Sequence, residues 1–590
     1  MTKLEQLREV MRQHKLDAYL IPSSDPHQSE YVAEHWQVRA WLSGFTGSAG
    51  TVVVTQTKAG LWTDARYYIR AAEALKGSSI HLFKAAAPGV PDYADWLLEQ
   101  LEEGASLGFD AAVVSAAEVT RLENVLSAKR ITLCGKHDLF ARIWPDRPPP
   151  PAGQIEAHEE MFAGESRLQK LERIRQGLKQ KGAEAHFLAA LDDIAWTFNL
   201  RGQDVPFNPV FLSFAFISQK EAWLFLCGSL DSVLRSELNE QGIKIARSND
   251  LESFLVEIAP TTVYFDPEKT SSKITTLLAK RCQLVAGSSL PYTLKAIKNM
   301  GECASHRRAQ LRDSVALVRW WMWLEEAIAS SQQTEITVAQ KLDAFRAQGD
   351  YFREPSFSTI VGYGANSAVG HYKAYPETTP TLKAEGILLV DSGGQYLDGT
   401  TDITRTFSLG KVSPWQKQVF TTVLKSLICL SRLEFPQGTK GDQLDAIARE
   451  PLWQRGWECR HGIGHGVGHY LNVHEGPQRF SKTNDVVFQP GMLSSNEPGV
   501  YFEGEFGVRL ENLLLCEIRQ TSDFAQFLGF ETMTFFPFDL SLLAPELLTL
   551  SEIEWLNDYH ARVLTALTPL LLPAEQKWLE AKTRPLGRPV

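Results

Sequence analysis

The sequence is poor in the features that mark disulfide scaffolds, membrane spans and nucleic-acid binders. Only 7 of its 590 residues are cysteine (Cys134, Cys227, Cys282, Cys303, Cys429, Cys459 and Cys516), an odd number, scattered and never spaced C-x-x-C. That pattern excludes a disulfide framework and reads as reduced thiols of a cytoplasmic protein. The longest apolar stretches, such as Val210–Ile217 and the region of Leu570–Leu572, fall short of the roughly 18 to 20 residues a span requires, so no membrane partner is expected. Lysine and arginine number 60 against 70 aspartate and glutamate, a net charge of −10, and no basic run stands out. No nucleic-acid partner is expected on that balance. Also missing are a G-x-S-x-G nucleophile elbow, an H-E-x-x-H zinc pair and a G-x-x-x-x-G-K-[ST] phosphate loop, which sets aside the chemistries those motifs carry.

What is present is ordinary globular composition, 44% hydrophobic and 10% aromatic with 41 Gly and 29 Pro, enough for several sizeable cores. At the N-terminus Thr2 and Glu5 have capping-box spacing, and Leu4, Leu7, Val10 and Met11 recur at helical intervals. An amphipathic helix is expected there, not a secretory signal. Two boundaries are expected. Trp144–Gly153 holds four consecutive prolines, which favour an extended linker. Near residue 300 a long helical pattern opens, with Arg307, Arg308 and Arg312 turned away from Leu311, Val315, Val318 and Trp321.

The two segments before residue 300 share a plan. A helix leads into Leu16–Ile21, then Trp41–Phe45, the β-rich run Thr51–Thr55, and Leu61–Asp64; a second helix, Leu168–Lys181, leads into Ala183–Leu188, then Trp196–Gly202, Phe211–Ile217 and Ala222–Leu226. This predicts a duplicated α/β unit of mixed sheets flanked by helices. From about 300 to 530, glycine punctuates the strand-like runs Ser358–Val361, Gly386–Val390, Gly499–Phe502 and Leu513–Ile518. Beyond it, Phe535–Val590 has a Pro-interrupted apolar stretch and a helical pattern from Ser551 through Leu572. This last segment is expected to pack on the main domain or on another subunit.

The chemistry-bearing residues cluster after residue 300. Asp391 ends the apolar run Ile387–Val390 and is followed by Ser392-Gly393-Gly394; Asp402 comes eleven residues later, far enough for a hairpin to return it beside Asp391. His465 lies in His461-Gly462-Ile463-Gly464-His465-Gly466-Val467-Gly468-His469, Glu497 in Asn496-Glu497-Pro498-Gly499, and Glu511 in Arg509-Leu510-Glu511-Asn512. Any one of these carboxylates alone reads as a turn residue or a solvated charge. Together, next to apolar strand-like runs, four carboxylates and one imidazole form a donor set that suits a pair of divalent cations better than one structural zinc. The glycines at 462, 464, 466 and 468 argue for a strand or loop around His461 and His465 instead of a helix.

With these motifs and Asn472-Val473-His474-Glu475-Gly476-Pro477, the chain resembles the pita-bread metallopeptidases, and within them the aminopeptidase P (Xaa-Pro aminopeptidase) family in its long three-domain form. The resemblance implies an α/β (α+β) fold: creatinase-like domains at 1–147 and 154–298, a pita-bread catalytic domain at 299–530 and a C-terminal extension at 531–590. It also implies that Asp402 and Glu511 bridge two metal ions, that Asp391 binds one of them, and that His465 and Glu497 complete the other. The ions are expected to be manganese, with zinc or cobalt as alternatives. His371, His461 and His474 match histidines that contact substrate, stabilise the oxyanion and move protons. Tyr501 and Arg509 match residues that order the ligands. Implied partners are peptides with a penultimate proline, cleaved before it, and a second copy of the chain in a homodimer. Two other readings are a prolidase, restricted to Xaa-Pro dipeptides, and a pita-bread binding module without activity. Of the remaining residues, His469 is expected to be structural or exposed, Arg66 to make a local salt bridge or reach a site, and Trp320–Trp323 to be core.

Overall fold

The computed structural model describes residues 1–587. They divide into two compact units, Met1–His158 with Ser166–Tyr292, and Glu159–Glu165 with the chain from Thr293 onward. The first unit opens on the helix Lys3–Gln13. The Thr2 hydroxyl accepts the Glu5 N–H and the Glu5 carboxylate accepts the Thr2 N–H, so two donors left over at the helix start are paired. Leu4, Leu7, Val10 and Met11 form its buried stripe.

The duplication is visible in the topology. The strands Ala18–Ile21, Thr51–Thr55, Ala59–Thr63, His81–Lys84, Ser106–Gly108 and Thr132–Cys134, counted in chain order, lie side by side as 4-3-2-1-5-6. The strands Ala185–Leu188, Ser213–Ser218, Ala222–Leu226, Ile243–Arg247, Thr262–Phe265 and Gln283–Ala286 repeat that order. In both sheets the first three strands pair antiparallel and every other pair is parallel. Parallel neighbours need a crossover, which the intervening helices supply, and strands covered on both faces read as unbroken apolar runs. Ala18–Ile21 and Ala185–Leu188 are buried at every position for that reason.

In the second unit the helix Met300–Ser330 is capped by Asn299 and Glu302. Ile360–Tyr363, Ile387–Ser392 and Ile403–Ser408 form an antiparallel three-stranded sheet. A six-stranded sheet holds, in spatial order, Phe435–Pro436, Gln526–Thr532, Asn512–Thr521, Leu493–Asn496, Gly464–Gly466 and Glu475–Phe480. The helices Pro414–Ser431 and Gly441–Trp453 complete a core that includes Trp320, Trp321, Leu388, Leu424 and Leu514. Trp320 and Trp321 are therefore core, as the sequence suggests, while Met322 and Trp323 are only partly buried against it.

Two expectations need correction. The Met300–Ser330 helix is packed on more than one side: Arg312 pairs with the buried Asp398 and Arg307 with Glu531, while Leu311 and Val315 are only partly buried. An arginine can reach an ion partner while its stem covers apolar surface, so charge alone did not mark the outer face. The tail pattern from Ser551 to Leu572 is also not one helix. It breaks into Leu550–Leu567, a 3-10 turn Thr568–Leu570 and Pro573–Lys582, because Pro569 cannot continue a helix and Pro573 suits the start of one. Leu556, Tyr559, Val563, Leu567 and Leu579 join the same core as Trp320, so the tail packs on its own unit; its last three residues lie outside the described part. All seven cysteines are free thiols, and among the described residues no helix is long and apolar enough to cross a membrane.

Candidate metal centre

Backbone pairing gathers the five segments named from sequence. Asp391 stands opposite Thr404 in the antiparallel pair of Ile387–Ser392 with Ile403–Ser408, and Asp402 immediately precedes the second of these strands. The Glu511 N–H donates to the Thr404 carbonyl at 3.0 Å. Asn512 then pairs with Asn496, and the next residue, Glu497, donates its N–H to the Ile463 carbonyl at 2.6 Å. His465 sits on the strand Gly464–Gly466, its N–H held by Ser495 Oγ at 3.0 Å. Glycine makes this stitching possible. A Cβ at Gly464 would lie 2.0 Å from the Ser495 carbonyl oxygen, and one at Gly393 would lie 2.0 Å from the Thr401 carbonyl oxygen.

The result is a buried concentration of acid. Asp391, Asp402 and Glu511 are 8%, 4% and 1% exposed, and Glu497 is half-buried. Burial first, then the neighbouring Glu511, Asp391 and Glu497 carboxylates, push Asp402 well above the usual carboxylate range. Burial with Glu497 and Asp391 does the same to Glu511. Glu497 is raised by burial as well, with His461 and Arg509 pulling the other way. Such a set of like charges is costly unless cations enter it.

The donor geometry fits such cations. Asp402, His465 and Glu511 offer one ligand atom each, all within 4.8 Å of one another. His465 Nε2 is 3.5 Å from both Asp402 Oδ2 and Glu497 Oε1. Asp391 Oδ1 and Glu511 Oε1 are buried and accept no hydrogen bond, although buried acceptors are normally paired. Their other oxygens are occupied: Asp391 Oδ2 accepts Arg509 Nη2 at 2.6 Å and Glu511 Oε2 accepts the Thr404 hydroxyl at 2.8 Å. One free lone-pair oxygen per oriented carboxylate is what a hard divalent ion requires.

The flanking residues form a second layer. Arg509 donates to Tyr501 Oη at 2.7 Å and to Thr404 Oγ1 at 3.2 Å besides Asp391. Tyr501 Oη lies 2.8 Å from His461 Nε2. Burial depresses the His461 imidazole below its ordinary value, with Glu497 opposing. The His474 ring meets His465 edge to face at 4.4 Å between centroids. His371 comes from a separate segment, the turn after the 3-10 stretch Gly364–Ala368. That segment is fixed by Glu335, which accepts the Tyr363 N–H and the Tyr372 hydroxyl, each at 2.8 Å. His469 is buried and structural, its Nε2 2.9 Å from the Phe162 carbonyl oxygen. Arg66 makes the local salt bridge, a two-pronged contact with Asp64.

Sequence reasoning missed Thr404, Ser495 and Cys459. Thr404 orients Glu511 and receives Arg509, Ser495 holds the His465 backbone, and the buried Cys459 Sγ lies 3.5 Å from His461 Nε2. The available signal was a run of polar residues next to an apolar residue, Thr404-Arg405-Thr406 between Ile403 and Phe407 and Ser494-Ser495-Asn496 after Leu493.

Comparisons with known proteins agree with this geometry. Residues 304–517 match metallopeptidase family M24, and 526–586 match the C-terminal region of peptidase M24. Residues 3–141 and 146–302 each match a Creatinase/Prolidase N-terminal domain. Aminopeptidase P2 of Arabidopsis thaliana is 40% identical over an alignment covering 97% of this chain and 86% of that protein. The crystal structure of X-prolyl aminopeptidase from Caenorhabditis elegans, described as a cytosolic enzyme with a di-nuclear active site, is similar with a TM-score of 0.94. It is 33% identical and covers 99% of this chain and 100% of that one. A Xaa-Pro dipeptidase from Bacillus anthracis, 23% identical with a TM-score of 0.52, covers 64% of this chain and 99% of its own, a likeness of fold. The chain belongs to metallopeptidase family M24 and, within it, to the aminopeptidase P family.

Proposed function

We propose that the protein is a dinuclear metal-dependent aminopeptidase that releases the N-terminal residue of peptides whose second residue is proline. The observation that supports this reading is the buried cluster in which Asp402, His465 and Glu511 each offer a ligand atom within 4.8 Å of the others, with Glu497 3.5 Å from His465 and with Asp391 Oδ1 and Glu511 Oε1 unused. It is supported by the likeness, over nearly the full length, to an X-prolyl aminopeptidase described as di-nuclear. Asp391, Asp402, His465, Glu497 and Glu511 would hold the ions. Bound there, two divalent ions supply Lewis-acid activation of water and of the scissile carbonyl.

The chain's own groups then divide the remaining work. Arg509 and Thr404 fix the orientation of Asp391 and Glu511. Tyr501 holds the His461 ring. His371, His461 and His474 contact the substrate, stabilise the charge that develops on its carbonyl oxygen and carry the proton to the leaving nitrogen. Manganese is the ion we assign, with zinc and cobalt as functional replacements. We further assign the two creatinase-like domains to 1–147 and 154–298, the catalytic domain to 299–530 and the extension to 531–590. We also assign a cytoplasmic location and a homodimer formed through the catalytic domain and its extension, which light scattering on the purified protein would test.

The functional test is hydrolysis of one Xaa-Pro-Yaa tripeptide and the matching Xaa-Pro dipeptide, after chelation and after adding back Mn²⁺ or Zn²⁺. Metal-restored cleavage of the tripeptide alone is expected. Cleavage of the dipeptide alone would replace the reading with a prolidase, and no cleavage with any ion would replace it with a binding module.

A further inference from the structure

Arg405 is 2% exposed, and its hydrogen-bond partners are carbonyls, a side-chain amide and a phenol instead of a carboxylate. On one side Nη1 donates to the Thr404 and Glu511 carbonyls, and Nη2 to Asn512 Oδ1 at 2.8 Å. On the other side Nη2 donates to the Phe536 carbonyl at 2.7 Å and to Tyr559 Oη at 3.1 Å, and Nε to the Pro537 carbonyl at 3.2 Å. The Phe538 ring lies 4.2 Å from the guanidinium. Tyr559 Oη completes the arrangement by donating to the Phe536 carbonyl at 2.8 Å.

The two sides belong to different parts of the chain. Thr404, Glu511 and Asn512 are the residues whose pairing sets the metal-ligating carboxylates: the Thr404 hydroxyl holds Glu511 Oε2, and Asn512 pairs with Asn496 beside Glu497. Phe536, Pro537 and Tyr559 belong to the C-terminal extension. A guanidinium buried here has to be saturated with acceptors to be tolerated, and these acceptors come from both sides at once. Arg405 can therefore be satisfied only when the extension is docked and the Thr404–Glu511 pairing is formed.

We propose that Arg405 and Tyr559 are positioning residues through which the C-terminal extension holds Glu511 and its neighbours in ligating geometry. The inference rests on the metal-centre reading above and assigns the extension a part in it. Partners that orient metal ligands typically change metal affinity 10- to 100-fold when removed. A lysine at 405 keeps the charge but cannot donate in several directions within one plane.

The test uses the full chain, stripped by a chelator and titrated with Mn²⁺ alone, with the visible spectrum of the Co²⁺-loaded protein as a second readout. Tyr559→Phe removes one hydroxyl but leaves Arg405 Nη2 its Asn512 and Phe536 acceptors, and should lower the melting temperature of the metal-free protein by no more than a few degrees. It should weaken Mn²⁺ binding about 10-fold and alter the Co²⁺ spectrum; Arg405→Lys should weaken binding about 10- to 100-fold. The control is Thr549→Ala, which removes the cap of the Leu550–Leu567 helix. It should lower the melting temperature and leave Mn²⁺ affinity unchanged. The proposal is overturned if both site variants bind Mn²⁺ as wild type does, or if Thr549→Ala weakens binding as much as they do. Should Arg405→Lys fail to fold, Tyr559→Phe decides. Wild-type protein that takes up neither ion overturns the metal centre itself and this role with it; normal uptake with unaltered variants overturns this role alone.

Discussion

Arg509 Nη2 donates to Asp391 Oδ2 across 2.6 Å, with both groups buried, and so joins residues 118 apart in the chain. The same guanidinium reaches Tyr501 and Thr404, so a single side chain orients one carboxylate directly, another through a hydroxyl, and the His461 ring through a phenol. Arg509→Lys preserves the charge but can satisfy one of these partners at a time. The expected result is a 10- to 100-fold loss in Mn²⁺ affinity by isothermal titration. Wild-type affinity in this variant would mean that charge, not direction, is what Asp391 needs.

Asp402 is where stability and function pull apart. Burial and the surrounding carboxylates raise its pKa well above normal, so in metal-free protein at neutral pH its ionised form opposes the fold. Asp402→Asn should abolish metal-dependent activity yet raise the melting temperature of the metal-free protein, at about 1.5 °C per kcal/mol for a unit of this size. Calorimetry in chelator decides it. A melting temperature below wild type would show that the Asp402 side chain supports the pocket instead of straining it.

His474 faces His465 edge to face but is placed on the substrate side of the ligand set in the reading above. His474→Ala should therefore keep its metal, by elemental analysis, while kcat falls by about 10² to 10⁴. Loss of one ion from the purified variant would make His474 a ligand instead.

Much of this was readable locally and some was not, for a definite reason. Thr51–Thr55 and Ala222–Leu226 read as strands from their β-branched and aromatic content, and are strands over those same residues. The capping box at Thr2 and Glu5 is likewise a short-range signal. The five segments that the backbone pairing draws together were legible as motifs because each carboxylate or imidazole stands against an apolar run or among glycines. Thr404 and Arg405 were not, because their partners Glu511, Phe536 and Tyr559 lie 106 to 154 residues away. A polar residue in a strand reads as outward-facing until its long-range acceptors are known. The same limit explains Arg312, whose partner Asp398 is supplied by a distant turn.

Glu475, next to His474, is sandwiched by two ammonium groups. Lys298 donates to its Oε1 and Lys295 Nζ stands 3.4 Å from Oε2, with all three side chains at most 1% exposed. Glu475→Gln would leave two buried cations with no countercharge from this residue. A destabilisation of about 3–5 kcal/mol in urea unfolding is expected. A change under 1 kcal/mol, the scale of an exposed pair, would show that solvent or another acid relieves the lysines.

Acid sensitivity should come in part from two buried histidines outside the ligand set. His186 Nε2 accepts the Leu290 N–H at 3.2 Å while its Nδ1 lies 3.0 Å from the Tyr264 carbonyl oxygen; His560 Nε2 accepts the Phe538 N–H at 3.1 Å. A ring nitrogen that accepts must be unprotonated. Burial accordingly lowers His186 to about 4 and His560 to about 3. Unfolded, each returns to about 6.5. Between those values the unfolded chain binds the proton and the native chain does not, so stability rises with pH and is lost as pH falls from about 6.5 through the folded values. At pH 5 each histidine costs about 2 kcal/mol relative to neutral pH. His560→Gln offers an amide oxygen to the Phe538 N–H and cannot titrate. Its unfolding free energy should therefore fall less steeply between pH 6 and 5, by about 1.2 kcal/mol over that pH unit for the single titration removed. A slope equal to wild type would mean that His560 is already protonated in the folded protein and that Phe538 finds another acceptor.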